Sequence, residues 1–180
     1  MRILSAAPTA WSGAAAVNGT VLTDFLLTAT YRAALTIRRV QRRVFRVPTI
    51  GVRVLAVCGD QFILVRHRAG PAPWGLPGGG VGSRETFAAA ALRELREEAG
   101  VIGTVTTLHG VFQHWQDGNP DTVVVLCAVV SQSPCAPRRD LEIAAAGLFS
   151  ADHLPAGTDA ASRRRIEEYR QQRSALVEAW

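Results

Sequence analysis

The spacing of apolar residues along this chain alternates between a strand-like and a helical period, and each change marks an element. Ile50 to Cys58 and Gln61 to His67 are apolar, β-branched runs on either side of Gly59-Asp60, which predicts two strands joined by a turn. Gly103 to Trp115 and Thr122 to Val130 repeat that arrangement around Asp117-Gly-Asn-Pro120, and Ala144 to Ser150 predicts a shorter strand. Between the two pairs, Thr86 to Ala99 holds four consecutive alanines and neither proline nor glycine, so helix propensity is high. Phe87, Ala88, Ala91, Leu92, Leu95 and Ala99 recur at helical spacing and are expected to face a core. Glu85, two residues after Ser83, suits the positive end of that helix. Asp159 to Ala179 predicts a C-terminal helix with Ile166, Tyr169, Leu176 and Val177 available for packing. Thr20 to about Val44 predicts an N-terminal one, with Leu22, Leu26, Ala29, Ala33, Ile37, Val40 and Val44 on one stripe and Pro48 beyond its end.

The polar side of the central helix carries the chemistry. Glu94, Glu97 and Glu98 fall at i, i+3 and i+4, so their carboxylates share an adjoining face. Like charges so placed repel by roughly 0.2 to 0.5 kcal/mol per exposed pair, and by more where water is excluded. Arg93 and Arg96 offset part of this, and a hard cation bound by carboxylate oxygens would offset the rest. Mg2+ or Mn2+ fits such oxygen chemistry better than zinc, for which the chain offers no ligand set. Upstream, Trp74-Gly-Leu-Pro-Gly-Gly-Gly-Val-Gly82 lets backbone amides and carbonyls approach a metal or phosphate closely, and it leads straight into the acidic helix.

The order of these residues is Gly79, five residues, Glu85, seven residues, Arg93-Glu94-Leu95, one residue, Glu97-Glu98, one residue, Gly100-Val101. Seven fixed residue types, each at roughly 5 to 8% usage, coincide by chance at about one in 10^8 positions or fewer. The segment resembles the Nudix box, G-x5-E-x7-R-E-U-x-E-E-x-G-U with U aliphatic, and departs from it at no defining position. The preceding Trp-x-Leu-Pro-Gly-Gly resembles the usual entrance to that box.

The resemblance extends over roughly residues 48 to 156. It implies an α/β fold, an α/β/α sandwich with a mixed sheet, to which the predicted N-terminal and C-terminal helices are added. It also implies substrates in which a nucleoside diphosphate is linked to another moiety. Carried over residue by residue, it makes Glu97 and Glu98 metal ligands, Glu94 a ligand or the water-activating base, and the Gly78 carbonyl a further ligand. Arg93 would orient the carboxylates, with Glu85 supporting it. The expected reaction is hydrolysis of a diphosphate bridge with Mg2+, or Mn2+, as cofactor. Since many family members add a carboxylate from beyond the box, Glu142 is the candidate here, with Asp140 and Asp121 behind it.

Composition fits one compact enzyme with a leader. The chain has 180 residues, 48% of them hydrophobic, enough for a single core. Two regions are expected, an N-terminal extension over residues 1–46 and the Nudix domain over 47–180. All 20 basic residues are arginine, so a Schiff-base lysine and a P-loop lysine are both excluded. The net charge is +5, and Arg32, Arg38, Arg39, Arg42, Arg43 and Arg46 crowd the first predicted helix. That helix is a candidate for peripheral contact with an anionic membrane over residues 20–46, or for packing on the domain with its arginines in water. Cys58, Cys127 and Cys135 form no CxxC pair and read as free thiols, which favours a reducing, cytoplasmic compartment. No apolar run is long enough to span a membrane.

Outside the box, Arg66 and Arg68 are the candidates for phosphate contacts, beside Glu142 on the substrate side. His67, His109, His114 and His153 are scattered and are expected to be structural or solvated. Trp74, Phe112 and Trp115 are candidates for stacking on a base, but aromatic residues in strands are core by default. No motif for specific nucleic-acid recognition occurs, and no signature fixes an oligomeric state. A metal-dependent hydrolase is the leading class, and a nucleotide-binding regulatory module without turnover is the alternative.

Overall fold

The computed structural model describes residues 49–68, 74–116, 119–136 and 142–180, together with Ala29. The helix expected over residues 20 to 44 therefore lies outside the described residues, Ala29 excepted. The elements are β1 (Thr49–Cys58), β2 (Gln61–His67), β3 (Trp74–Gly75), α1 (Phe87–Ala99), β4 (Gly103–Gln116), β5 (Asn119–Val130), β6 (Ile143–Ser150), a 3-10 turn (Ala151–His153), α2 (Ala160–Arg170) and β7 (Leu176–Ala179). The seven strands form one mixed sheet in the order β3-β2-β1-β5-β4-β7, with β6 paired to β2. β1 and β5 run parallel, as do β4 and β7, while the hairpins β1-β2 and β4-β5 and the pair β2-β6 are antiparallel.

Strand alternation divides the core into two layers, because successive side chains leave opposite faces of a sheet. Val52, Val54 and Ala56 of β1 and Val124, Leu126 and Ala128 of β5 pack with Ala90, Ala91, Leu95 and Ala99 of α1. Leu55, Val57, Val123, Val125 and Cys127 leave the other face and pack with Phe112, Ile166 and Tyr169, the last two on α2. The result is a helix on each face of the sheet, as the resemblance implies. Among the described residues no helix is long and apolar enough to cross a membrane.

The cap of α1 is Thr86, whose hydroxyl accepts from the Ala89 N–H at 3.2 Å, so the helix starts where its propensity predicts. Two expectations need correction. Phe87 is 43% exposed and Ala88 is exposed too, while Ala90 and Glu98 join the buried stripe. Glu98 sits three residues after Leu95 and seven after Ala91, at the centre of that stripe, and reading the stripe from apolar residues alone leaves it out.

The second correction concerns the C-terminus. α2 stops at Arg170, Gln172 and Ala175 adopt positive φ, and Leu176–Ala179 becomes an edge strand alongside Gly110–Gln113 of β4. Local helix propensity loses to an open edge of β4, whose backbone groups need partners. Val177, expected to pack, is instead 84% exposed, and Trp180 closes over Phe112.

Candidate active site

The glycine loop is fastened along the first half of β1. Val52 N–H donates to the Gly79 carbonyl and Val54 N–H to the Pro77 carbonyl, both at 2.9 Å, and Val81 N–H donates to the Ile50 carbonyl at 3.3 Å. Close approach sets the sequence here. Gly78 has φ +149°, and a Cβ on it would lie 2.1 Å from the Val52 carbonyl oxygen. At Gly79 a Cβ would lie 2.4 Å from Glu94 Oε1, so the glutamate carboxylate rests directly on the loop backbone. Arg53 of β1 holds the loop from beneath, its guanidinium donating to the Gly78 carbonyl and, at 3.4 Å, to that of Leu76.

Arg93 joins the acids of α1 to the loop. Its Nε and Nη2 grip both oxygens of Glu85 at 2.9 and 3.0 Å, and Nη1 donates to Glu94 at 2.7 Å and Glu97 at 3.1 Å. Nη2 also reaches the Gly80 carbonyl at 2.9 Å. Glu85 accepts from the Gly82 N–H at 2.9 Å as well, and these bonds, with Arg93 foremost, hold its carboxyl below the usual range. Charge-assisted bonds of this kind fix both partners' positions.

Glu98 stands apart from that cluster. It is 6% exposed and accepts from the Gly78 N–H at 2.8 Å. Burial pushes its carboxyl up to about 8, against the opposing pull of Arg53 and the Gly78 N–H. Burial also raises Glu94, with Arg93 opposing. Glu85, Glu94, Glu97 and Glu98 thus share two guanidiniums, Arg53 and Arg93, a surplus of carboxyls in which Glu94 and Glu98 are shielded from water and Glu97 is exposed. An all-oxygen set with that surplus fits a hard divalent cation.

Of the other residues singled out in the sequence, Glu142 does come to the carboxylates, adding to the negative field that raises Glu94 and Glu98. Arg68 is adjacent through the backbone, its N–H donating to the Glu142 carbonyl at 2.9 Å. Arg66 is exposed on β2 opposite Trp74 and Ala145. The Gly78 carbonyl accepts from Arg53, and it is the Gly78 N–H that meets a carboxylate. Asp121 binds Thr49 and lies 3.6 Å from His114, and Asp140 is outside the described residues.

Among the aromatics, Trp74 packs edge-on against Phe149 and Phe112 is buried, whereas Trp115 is 75% exposed. His109 is structural, as expected, bonded at 3.1 Å to buried Glu168, which Arg165 also engages. Two residues of the site escape the sequence reading. Arg53 shows only as a charged interruption of an apolar strand, and His67 lies with Glu98 and Glu142, ligand atoms of the three being within 4.8 Å of one another. A cavity of about 690 Å3 opens on the α2 face between Gly59, Phe62, Tyr169 and Arg173, and none of these carboxylates lines it.

This loop-and-helix site on an α/β/α sandwich defines a family, and a NUDIX domain model matches residues 47–169, so the chain belongs to that family. Over 70 residues it is 41% identical to human diphosphoinositol polyphosphate phosphohydrolase 3-alpha, a match covering 39% of this chain and 43% of that one. The chain thus spans less than half the length of the curated relatives it matches. Among solved structures, a MutT NUDIX hydrolase from Burkholderia pseudomallei superposes with TM-score 0.59 at 30% identity, covering 67% of this chain and 97% of that one. An ADP-ribose pyrophosphatase from Streptococcus suis shares the fold, with TM-score 0.57 at 21% identity over 74% of this chain and all of that one (100%).

Proposed function

We propose that this protein is a divalent-metal-dependent hydrolase of a diphosphate linkage in a nucleoside diphosphate derivative. The supporting observation is Glu98, a carboxylate 6% exposed and pushed up to about 8 by burial, beside Glu94 and Gly78, where the Val52 carbonyl leaves no room for a side chain. Such a group is stable as an anion only with a cation against it. Glu97, Glu98 and Glu94 would hold Mg2+ or Mn2+, which when bound supplies phosphate charge neutralisation and a more acidic water.

The chain's own residues do the rest. Glu94, its basicity raised by burial, accepts a proton from the attacking water. The water oxygen bonds to one phosphorus as the bridging P–O bond breaks, and that electron pair leaves with the other phosphate. Arg93, anchored by Glu85, keeps Glu94 and Glu97 in register. Arg53 keeps the loop against β1. Arg68, whose N–H meets the Glu142 carbonyl, and Arg66 would contact substrate phosphates.

Similarity to proteins named for diphosphoinositol polyphosphates makes a diphosphate on an inositol polyphosphate the second substrate class. A panel of nucleotide sugars, ADP-ribose, dinucleoside polyphosphates and a diphosphoinositol polyphosphate, assayed for phosphate-bearing products with Mg2+ and Mn2+, tests both classes. Turnover that disappears in Glu98→Gln and Glu97→Gln supports the reading. Tight nucleotide binding without turnover by the wild type overturns it in favour of a regulatory module.

A further inference from the structure

The end of β2 brings a nitrogen donor to the oxygen site. Ile63 and Val65 of β2 pack in the α1 layer, and His67 is next in that alternation. The β2-β6 register shifts between Arg66 and His67, so that His67 stands opposite Ile143, a residue after Glu142. Irregularities of this kind re-aim side chains at strand ends. His67 Nδ1 lies 3.7 Å from Glu142 Oε1, and both come within reach of Glu98 from α1. Three elements of separate sequence origin thus converge on one point.

We propose that His67, Glu98 and Glu142 form a cation position with one imidazole and two carboxylate ligands, sharing Glu98 with the box, and that it prefers a first-row transition ion such as Mn2+, Co2+ or Zn2+ over Mg2+. Neighbouring ligands about 2.1 Å from such an ion stand about 3.0–3.6 Å apart. The three ligand atoms lie within 4.8 Å of one another, so side-chain shifts of about 1 Å close the site. Imidazole is a poor ligand for Mg2+ and a good one for later first-row ions, and so the nitrogen sets the preference. Glu98 would be shared between this position and the one inferred from the box, and in that respect the proposal rests on the hydrolase reading.

The test is pulsed electron paramagnetic resonance of Mn2+ added to the full-length chain, read for imidazole nitrogen coupling, alongside Mn2+ and Mg2+ affinities by calorimetry. Nitrogen coupling is expected in the wild type and in the control His153→Gln, and is expected to be absent in His67→Asn. Loss of even an outer-shell partner weakens metal binding by about 10- to 100-fold, so His67→Asn should bind Mn2+ at least about tenfold more weakly, with a smaller change for Mg2+. Mn2+ that binds in a Glu98-dependent way without nitrogen coupling overturns this proposal and leaves the hydrolase reading standing. Failure of the wild type to bind Mn2+ at millimolar concentration, together with no hydrolysis of the substrate panel, overturns both.

Discussion

Gly79→Ala should remove activity while leaving the fold almost intact. A Cβ at this position would sit 2.4 Å from Glu94 Oε1, 2.7 Å from its Cδ and 2.9 Å from Oε2. Every atom in the way belongs to the end of one flexible side chain, and φ at Gly79 lies outside the range that excludes other residues. Relief therefore comes from Glu94 swinging by about 1 Å, the gap between the clash and an ordinary contact near 3.5 Å. Stability should change by less than about 1 kcal/mol.

A misplacement of that size at the reacting centre costs about 100-fold in rate, or about 2.7 kcal/mol of transition-state stabilisation. Gly78→Ala is the contrasting control. Its Cβ would strike the Val52 carbonyl at 2.1 Å, which is backbone, in a left-handed conformation, and it should unfold at clearly lower denaturant. The measurements are kcat/KM with Mg2+ on whichever substrate the panel identifies, and the urea midpoint. A Gly79→Ala enzyme within threefold of wild type would refute the reasoning about Glu94, since the carboxylate could then be displaced without consequence.

Three further outcomes are expected. Without metal, the raised Glu98 carboxyl keeps its proton in the folded state between its ordinary value near 4.5 and about 8, while the unfolded chain releases it. Stability in EDTA should therefore be highest at the acidic end of that window and fall, by roughly a few kcal/mol, as pH rises through it. Glu98→Gln should flatten the slope in urea unfolding, and an unchanged slope would contradict the assigned burial. Glu168→Ala should cost about 3–5 kcal/mol, because it strands Arg165, fully buried 3.8 Å above the Phe112 ring, beside His109. A loss below about 1 kcal/mol in denaturant melts would count against that triad. Thr86→Ala removes the cap of α1 and should lower stability by about 1 kcal/mol, seen as a drop of a few degrees in Tm.

Much of this molecule is legible in its residues alone. Strand alternation in β1 and β5, the turn at Gly59-Asp60 and the alanine-rich helix are local signals, and so is the i, i+3, i+4 placement of Glu94, Glu97 and Glu98. Such features depend on backbone periods that each short segment carries within itself. The pairing of Arg93 with Glu85 is legible only through the resemblance to the box, since Glu85 lies before the helix and no backbone period relates the two.

What tertiary structure decided lies at long range. Glu98 becomes a buried acid only because α1 lays that stripe on the sheet, and its N–H partner Gly78 comes from a loop zipped to β1. The grip of Arg53 on Gly78, and the meeting of His67 with Glu98 and Glu142, join residues 25, 31 and 75 positions from their partners, and no periodicity encodes such meetings. At the C-terminus, the open edge of β4 turned an expected helix into β7, since unpaired backbone groups outweigh a few tenths of a kcal/mol of helix propensity per residue. Charge on a side chain and period along a segment are properties of the chain, whereas burial and pairing across the sheet exist only once the layers have closed.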